Sequence, residues 1–158
     1  MAILQYKIRD QFVEELEITF SPSKHGPTSY VTWVHAKVAF RFFSGFPEIS
    51  IERDGQEMDD VEGLIRGLKD ITQGKGTSID FYPREPDYNI KIKRYDESYE
   101  IIVVLDVSGT QKTGVYCGNG PALYISSNKK DLIEFASTLE KEIEYVKQEV
   151  KNKMELQN

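Results

Sequence analysis

The segment from Tyr30 to Phe43 constrains the fold more than any other part of the chain, because its side chains separate cleanly into two sets at alternate positions. One set is apolar: Val34, Ala36, Val38, Phe40 and Phe42. The other set is Trp33, His35, Lys37, Ala39 and Arg41. A period of two places successive side chains on opposite faces of a strand. The segment is therefore predicted to be an antiparallel strand with one face buried.

Shorter segments with strand character precede and follow this one. Leu4 to Ile8 and Leu16 to Phe20 alternate and are predicted to form a hairpin. Ile49 and Ile51 point inward on a partner strand that Asp54 and Gly55 are expected to end. The other predicted strands are Ser78–Tyr82, Tyr88–Tyr95, Tyr99–Val107, Val115–Cys117 and Leu123–Ile125. Tyr99–Val107 is apolar at nearly every position, so it is expected to be central and buried on both faces.

Two segments have a helical period instead. Val61, Leu64, Ile65, Leu68 and Ile71 form one apolar stripe, which predicts a helix over Met58–Thr72. Its interior glycines, Gly63 and Gly67, weaken a helix. We therefore expect another element to approach the helix closely at both of them.

A second helix is predicted to start at Asn128, which can cap it together with Asp131. Its apolar stripe is Leu132, Phe135, Ala136, Leu139, Ile143, Val146 and Val150. The polar residues 152–158 are expected to form a frayed tail. The predicted fold class is α+β, with a mainly antiparallel sheet of about seven to nine strands and two helices, the second long and C-terminal. Residues 1–158 are expected to be one domain.

Composition narrows the classes of function. One cysteine, Cys117, allows neither an internal disulfide nor a cysteine-based zinc site. The first ten residues lack the apolar core of a secretory signal and no apolar run is long enough to span a membrane, so a cytoplasmic protein is expected. The net charge is −6, and residues 51–100 hold 13 acids against 8 bases. Such a chain suits a basic protein partner better than nucleic acid.

No catalytic constellation is visible in the sequence. His25 and His35 have no ligand or triad partner at a recognisable spacing, so no metal and no cofactor are expected. Cys117 would serve as a nucleophile only if the fold brought a histidine to it. The chain is therefore predicted not to be an enzyme, unless scattered residues such as His35, Cys117 and a carboxylate come together.

The candidate binding site is a cluster of acids between the fourth strand and the first helix. Its members are Glu52, Asp54, Glu57, Asp59, Asp60 and Glu62. Their spacing does not match a calcium-binding helix–loop–helix motif, because Gly55 follows Asp54 with too few acids before it. The plainer interpretation is structural: the acids lie at a solvated strand end and at a helix start, which acids stabilise. The functional interpretation is that they form a protein-binding patch.

A second candidate surface is the outward stripe of the long strand. Trp33, His35, Lys37, Arg41 and Phe43 mix aromatic rings with positive charge. Such a stripe can hold an anionic ligand by stacking and charge. The alternative is a sheet face that a loop or a second layer covers.

The order of these segments resembles the small immunity proteins of the WapI type. The matching features are the strand WVHAKVAFRFF, the leucine-repeat helix, and the segment DFYPREPDYNIKIKRYD with Phe81, Pro83, Glu85 and Pro86. The resemblance covers about residues 30–146 and leaves out the N-terminal hairpin. It implies a cytoplasmic antitoxin that binds and blocks the toxic domain of a cell-wall-associated polymorphic toxin. It brings no catalytic residues.

The resemblance and the charge lead to one expected function, an immunity protein that neutralises a cognate basic toxin domain by stoichiometric binding. An acidic inhibitor accelerates its encounter with such a partner. The alternative is a regulatory module that binds a small molecule or a peptide without catalysis, which would need a concave pocket with a few convergent polar groups.

Overall fold

The structure is a computed structural model. It describes residues 1–8, 11–24, 32–42, 47–84, 87–96, 98–105 and 120–155. Among the sequence candidates, His25, Phe43 and Cys117 lie outside these residues, as do Glu85, Pro86, Val107 and the strand proposed for 115–117.

The first sheet contains four antiparallel strands in chain order. They are β1 (Ala2–Ile8), β2 (Gln11–Pro22), β3 (Trp33–Phe42) and β4 (Ile49–Glu57). The predicted N-terminal hairpin is confirmed as β1 paired with β2. The alternation in β3 is also confirmed on its inner face, where Val34, Ala36, Val38 and Phe40 are buried.

The predicted end of β4 at Asp54 and Gly55 is wrong. The strand continues to Glu57, and the register with β3 shifts by one residue between Val34 and His35. Gly55 is the extra residue of this bulge and has a φ of 101°, a conformation that glycine adopts without steric cost. Asp54-Gly55 therefore marks a kink within the strand.

The second sheet is also antiparallel and follows chain order. Its strands are β5 (Ser78–Phe81), β6 (Tyr88–Tyr95), β7 (Ser98–Leu105) and β8 (Ala122–Asn128). β7 lies between β6 and β8, as expected for a central strand. It is not buried on both faces, because Tyr99, Ile101, Val103 and Leu105 are buried whereas Ile102 is 39% exposed. The apolar run therefore supplies one core face and one outer face.

The first helix, α1, spans Met58–Thr72 as predicted, and its apolar stripe is buried. The two interior glycines differ. A Cβ on Gly67 would lie 3.4 Å from Cδ1 of Ile79 in β5, so the close approach expected there is confirmed. A Cβ on Gly63 would have no neighbour within 4 Å, so the same expectation is wrong for Gly63.

The second helix, α2, spans Lys129–Glu155. The predicted start is confirmed, because the Asp131 amide donates to Oδ1 of Asn128 at 2.9 Å and the Asn128 amide group donates to Oδ2 of Asp131 at 2.9 Å. The buried stripe from Leu132 to Val146 matches the predicted one. Residues 151–155 are helical and exposed, and residues 156–158 lie outside the described part.

The helix α2 packs on α1, β1, β2 and β8. It also completes the edge of the first sheet. β1 pairs with β2 from Ala2 opposite Ile18, so it provides no partner for the amide of Phe20. Glu142 on α2 accepts that hydrogen bond at 2.9 Å and also pairs with the amino group of Met1. A carboxylate thus satisfies a backbone donor that the sheet leaves unpaired.

Buried residues from both sheets and both helices form one contiguous hydrophobic core. A buried polar contact also joins the sheets, since the Tyr88 hydroxyl donates to Oε1 of Gln56 at 2.9 Å. The predicted α+β class is confirmed, with eight described strands divided between two antiparallel sheets. Neither helix in the described ranges has an apolar stretch that would span a bilayer.

Candidate functional site

The six acids proposed from the sequence do not converge on one point. Glu52 and Asp54 lie on β4, Glu57 immediately precedes α1, and the other three lie on α1. Glu52 is the most open of those on the strand, with 60% of its side chain exposed, and its carboxylate is 3.8 Å from Nε2 of His35. Asp54 accepts a hydrogen bond from the Lys24 amide at 3.2 Å. These two acids share the outward face of the first sheet.

Glu57 and Asp60 hold the segment that follows β5. The Arg84 amide donates to Oδ2 of Asp60 at 2.8 Å, and its guanidinium pairs with both Glu57 and Asp60. This contact ties the segment after β5 to the start of α1. Asp59, between these two acids in the sequence, is exposed.

Glu62 has a structural role on a different side of α1. Its carboxylate is 2.7 Å from Nζ of Lys147 on α2, which also contacts Glu144 at 2.8 Å. Hydrogen bonds to Glu144 and then to Glu62 raise the pKa of Lys147 above its ordinary value. Glu57, Asp60 and Glu62 thus have intramolecular partners, and the acid cluster in the sequence is not one cluster in space.

A different group of acids gathers on the outward face of the first sheet, and we call it the acidic face. Its members are Glu15 and Glu17 on β2, Glu48 just before β4, and Glu52 and Asp54 on β4. The register brings them together, because Glu15 lies opposite Arg41, Glu17 opposite Ala39, and Lys37 opposite Glu52. Cross-strand partners project from the same face of a sheet.

Arg41 is the hub of the acidic face. Its guanidinium contacts Glu15 at 2.8 Å, Glu48 at 2.8 Å and also Glu17. The hydrogen bonds to Glu48 and then to Glu15 raise the pKa of Arg41, so its charge is fixed. The same bond from Arg41, with a second from Lys37, holds the pKa of Glu48 below its ordinary value.

This arrangement changes the interpretation of the outward stripe. Lys37 and Arg41 already contact carboxylates, and the described residues of the acidic face set five acids against these two cations. Glu15 and Glu17 are only 7% and 4% exposed, and both pair with Arg41. Glu52 is 60% exposed and Glu48 is 33% exposed. An approaching cation would therefore meet the carboxylates of Glu52 and Glu48.

Glu15, Glu17 and Glu48 were not among the site residues predicted from the sequence. The signal was the alternation of Glu15 and Glu17 with the core residues Leu16 and Ile18, which places both acids outward. That pattern shows which face of β2 the two acids occupy, but it does not show which strand pairs with β2. The partnership with Arg41 depends on the pairing of β2 with β3.

The outer face of the second sheet has a different character. Tyr82, Tyr95, Ile102 and Tyr124 are exposed there by 39–54%. The ammonium groups of Lys91 and Lys93 lie 5.7 Å and 4.8 Å from the ring centres of Tyr82 and Tyr95. Two carboxylates add negative charge to this face: Asp80 pairs with Lys91, and Glu100 is hydrogen-bonded to Tyr124. This face therefore carries both charges. Among the described residues, the excess of acids over bases lies on the outward face of the first sheet.

Among the residues that the structure describes, no three histidine, cysteine or carboxylate side chains are grouped to hold a metal ion. The chain matches no known family model, no curated protein and no solved structure.

Proposed function

We propose that the chain is an immunity protein that acts in the cytoplasm and neutralises a basic toxin domain by stoichiometric binding. The observation that carries the proposal is the acidic face, where Glu15, Glu17 and Glu48 pair with Arg41 and Lys37, and Glu52 is open to solvent. The order of sequence segments that resembles WapI-type immunity proteins supports it independently.

The acidic face suits recognition of a basic protein in two ways. Its surplus charge steers a basic partner during encounter, which raises the association rate at low salt. Its carboxylates are also held in place, because Arg41 and Lys37 fix Glu15, Glu17 and Glu48. A surface that is ordered before binding loses less conformational entropy on association.

The six acids proposed from the sequence therefore have different roles. Glu52 and Asp54 belong to the proposed contact surface. Glu57, Asp60 and Glu62 hold the fold together through Arg84 and Lys147. Asp59 is exposed at the start of α1 and is not part of the acidic face.

The test begins with a search of the neighbouring genes for a large repeat-bearing toxin, whose toxic domain is then assayed for neutralisation by this chain. Cells that express the toxin domain alone are expected to stop growing, and co-expression of this chain is expected to restore growth. The purified proteins are expected to form a complex of fixed stoichiometry in light scattering. Unrestored growth together with the absence of a complex would reject the proposal.

A further inference from the structure

A cavity of about 600 Å³ opens where β1, the end of β8 and the first turns of α2 meet. Its volume lies in the range of small-molecule sites. Polar groups line much of it, among them Gln5, Ser126 and Thr138. The cavity borders the acidic face, because Nε2 of Gln5 donates to Glu15 at 3.0 Å. No step of the proposed function uses the cavity.

The charged side chains in the described part of the cavity lining are negative. They are Asp131 and Glu134, and no lysine or arginine is among the described lining residues. Asp131 is held by Asn128, whereas the Glu134 carboxylate is exposed and has no partner among the described residues. Among the lining residues that the structure describes, the amino group of Met1 is the only cation, and Glu142 already pairs with it.

The start of α2 would ordinarily attract an anion, because its free amides carry partial positive charge. Here Asn128 accepts the amide of Asp131, and the Asp131 carboxylate lies in the first turn. Both features oppose an anion. The aromatic rings of Tyr6 and Phe135 also line the cavity, and the face of an aromatic ring attracts cations.

We propose that this cavity binds a small organic cation, an ammonium ion on an aromatic or alkyl body. The ammonium group would sit between Asp131 and Glu134, and the body would pack against Tyr6 and Phe135. The hydroxyl and amide groups of the lining would pair with any polar substituents. This site goes beyond the toxin-binding proposal and stands or falls independently of it.

The test compares three probes with one carbon skeleton: tyramine, its alcohol tyrosol and its acid 4-hydroxyphenylacetate. Each is titrated into the isotopically labelled full chain, and amide shifts are followed by NMR. Tyramine is expected to shift the amides of Ser126–Asn128 and of the first turns of α2. Tyrosol is expected to bind at least tenfold more weakly, because a charge-assisted hydrogen bond is lost, and the acid is expected not to bind.

Glu134→Gln supplies the matched variant, since it removes the charge and keeps the shape. It is expected to weaken tyramine binding roughly tenfold. Glu149→Gln on the same helix, about 22 Å away along its axis, is expected to have no effect. Equal binding of the three probes, shifts located elsewhere, no tyramine shifts at its solubility limit, or unchanged affinity in Glu134→Gln would overturn the proposal.

Discussion

Glu48 shows how single residues set the acidic face. It lies where Arg41 and Lys37 meet, and its ion pairs with them measure 2.8 Å and 3.2 Å. These bonds favour the charged form and hold its pKa below the ordinary value. About a third of the side chain is exposed, so solvent screens the pairs and lowers their contribution to stability.

The first prediction concerns the pH dependence of this contribution. A group whose pKa is lowered by folding stabilises the protein above its unfolded pKa, about 4.3 for glutamate, and loses that effect as the pH falls through the folded value. Glu48→Gln is therefore expected to be less stable than the unmodified chain at neutral pH. The difference should shrink below about pH 4.

Urea unfolding across this pH range measures the effect, with Glu149→Gln as the control. Glu149 lies on α2 and has no ion pair among the described residues, so no comparable trend is expected for it. A Glu48→Gln difference that stays constant from neutral to acidic pH would show that the charge of Glu48 contributes nothing.

At the scale of elements, locally encoded features were predictable from the sequence. The bounds of α1 and the cap of α2 follow from periodicity and from residues three positions apart. The errors concern contacts with other elements. Gly55 signals a turn by itself, and pairing with β3 makes it a bulge. The apolar run of β7 does not reveal whether one or both of its faces are covered.

The two glycines of α1 give the second prediction. Alanine favours a helix over glycine by about 1 kcal/mol, and nothing crowds the space at Gly63. Gly63→Ala is therefore expected to stabilise the protein by about 0.5–1 kcal/mol. Gly67→Ala is expected to gain less, because its methyl group would meet the Ile79 side chain at 3.4–3.6 Å.

Urea unfolding of the two variants side by side measures the difference. An equal gain would mean that β5 yields to the added methyl group without cost. A loss at Gly63 would mean that another part of the chain approaches α1 at that residue.

At the scale of the whole molecule, the core joins both sheets through the helices, and α2 is its longest element. Leu139 is fully buried on this helix, whereas residues 151–155 are exposed. Leu139→Ala is expected to cost about 2–5 kcal/mol, as a truncation in a packed core. Removal of residues 152–158 is expected to cost little. Urea melts with the opposite ranking would place the stabilising contacts of α2 at its end.

The site could be anticipated from the sequence only in part. Surplus acid in residues 51–100 is visible by counting, and it led to Glu52 and Asp54. It also led to Glu57, Asp60 and Glu62, whose partners Arg84 and Lys147 are distant in the chain. Glu15 and Arg41 are 26 residues apart, and the pairing of β2 with β3 makes them neighbours. Contacts of this kind depend on strand order, which no local pattern encodes.

We propose that a basic toxin domain binds the acidic face. Three variants test it with the same global charge: Glu52→Lys on the acidic face, Asp59→Lys at the start of α1, and Glu149→Lys on α2. Each changes the net charge from −6 to −4. All three substitutions are at positions without a short ion pair among the described residues, so the fold is expected to remain intact by circular dichroism.

The decisive measurement is the association rate of each variant with the toxin domain that the unmodified chain neutralises, at low and at physiological salt. Glu52→Lys is expected to slow association severalfold and to weaken its salt dependence, whereas the other two variants are expected to change the rate little. Equal slowing by all three would assign the effect to net charge alone. Slowing by Asp59→Lys alone would move the contact to the helix start, and either result would contradict the assignment to the acidic face.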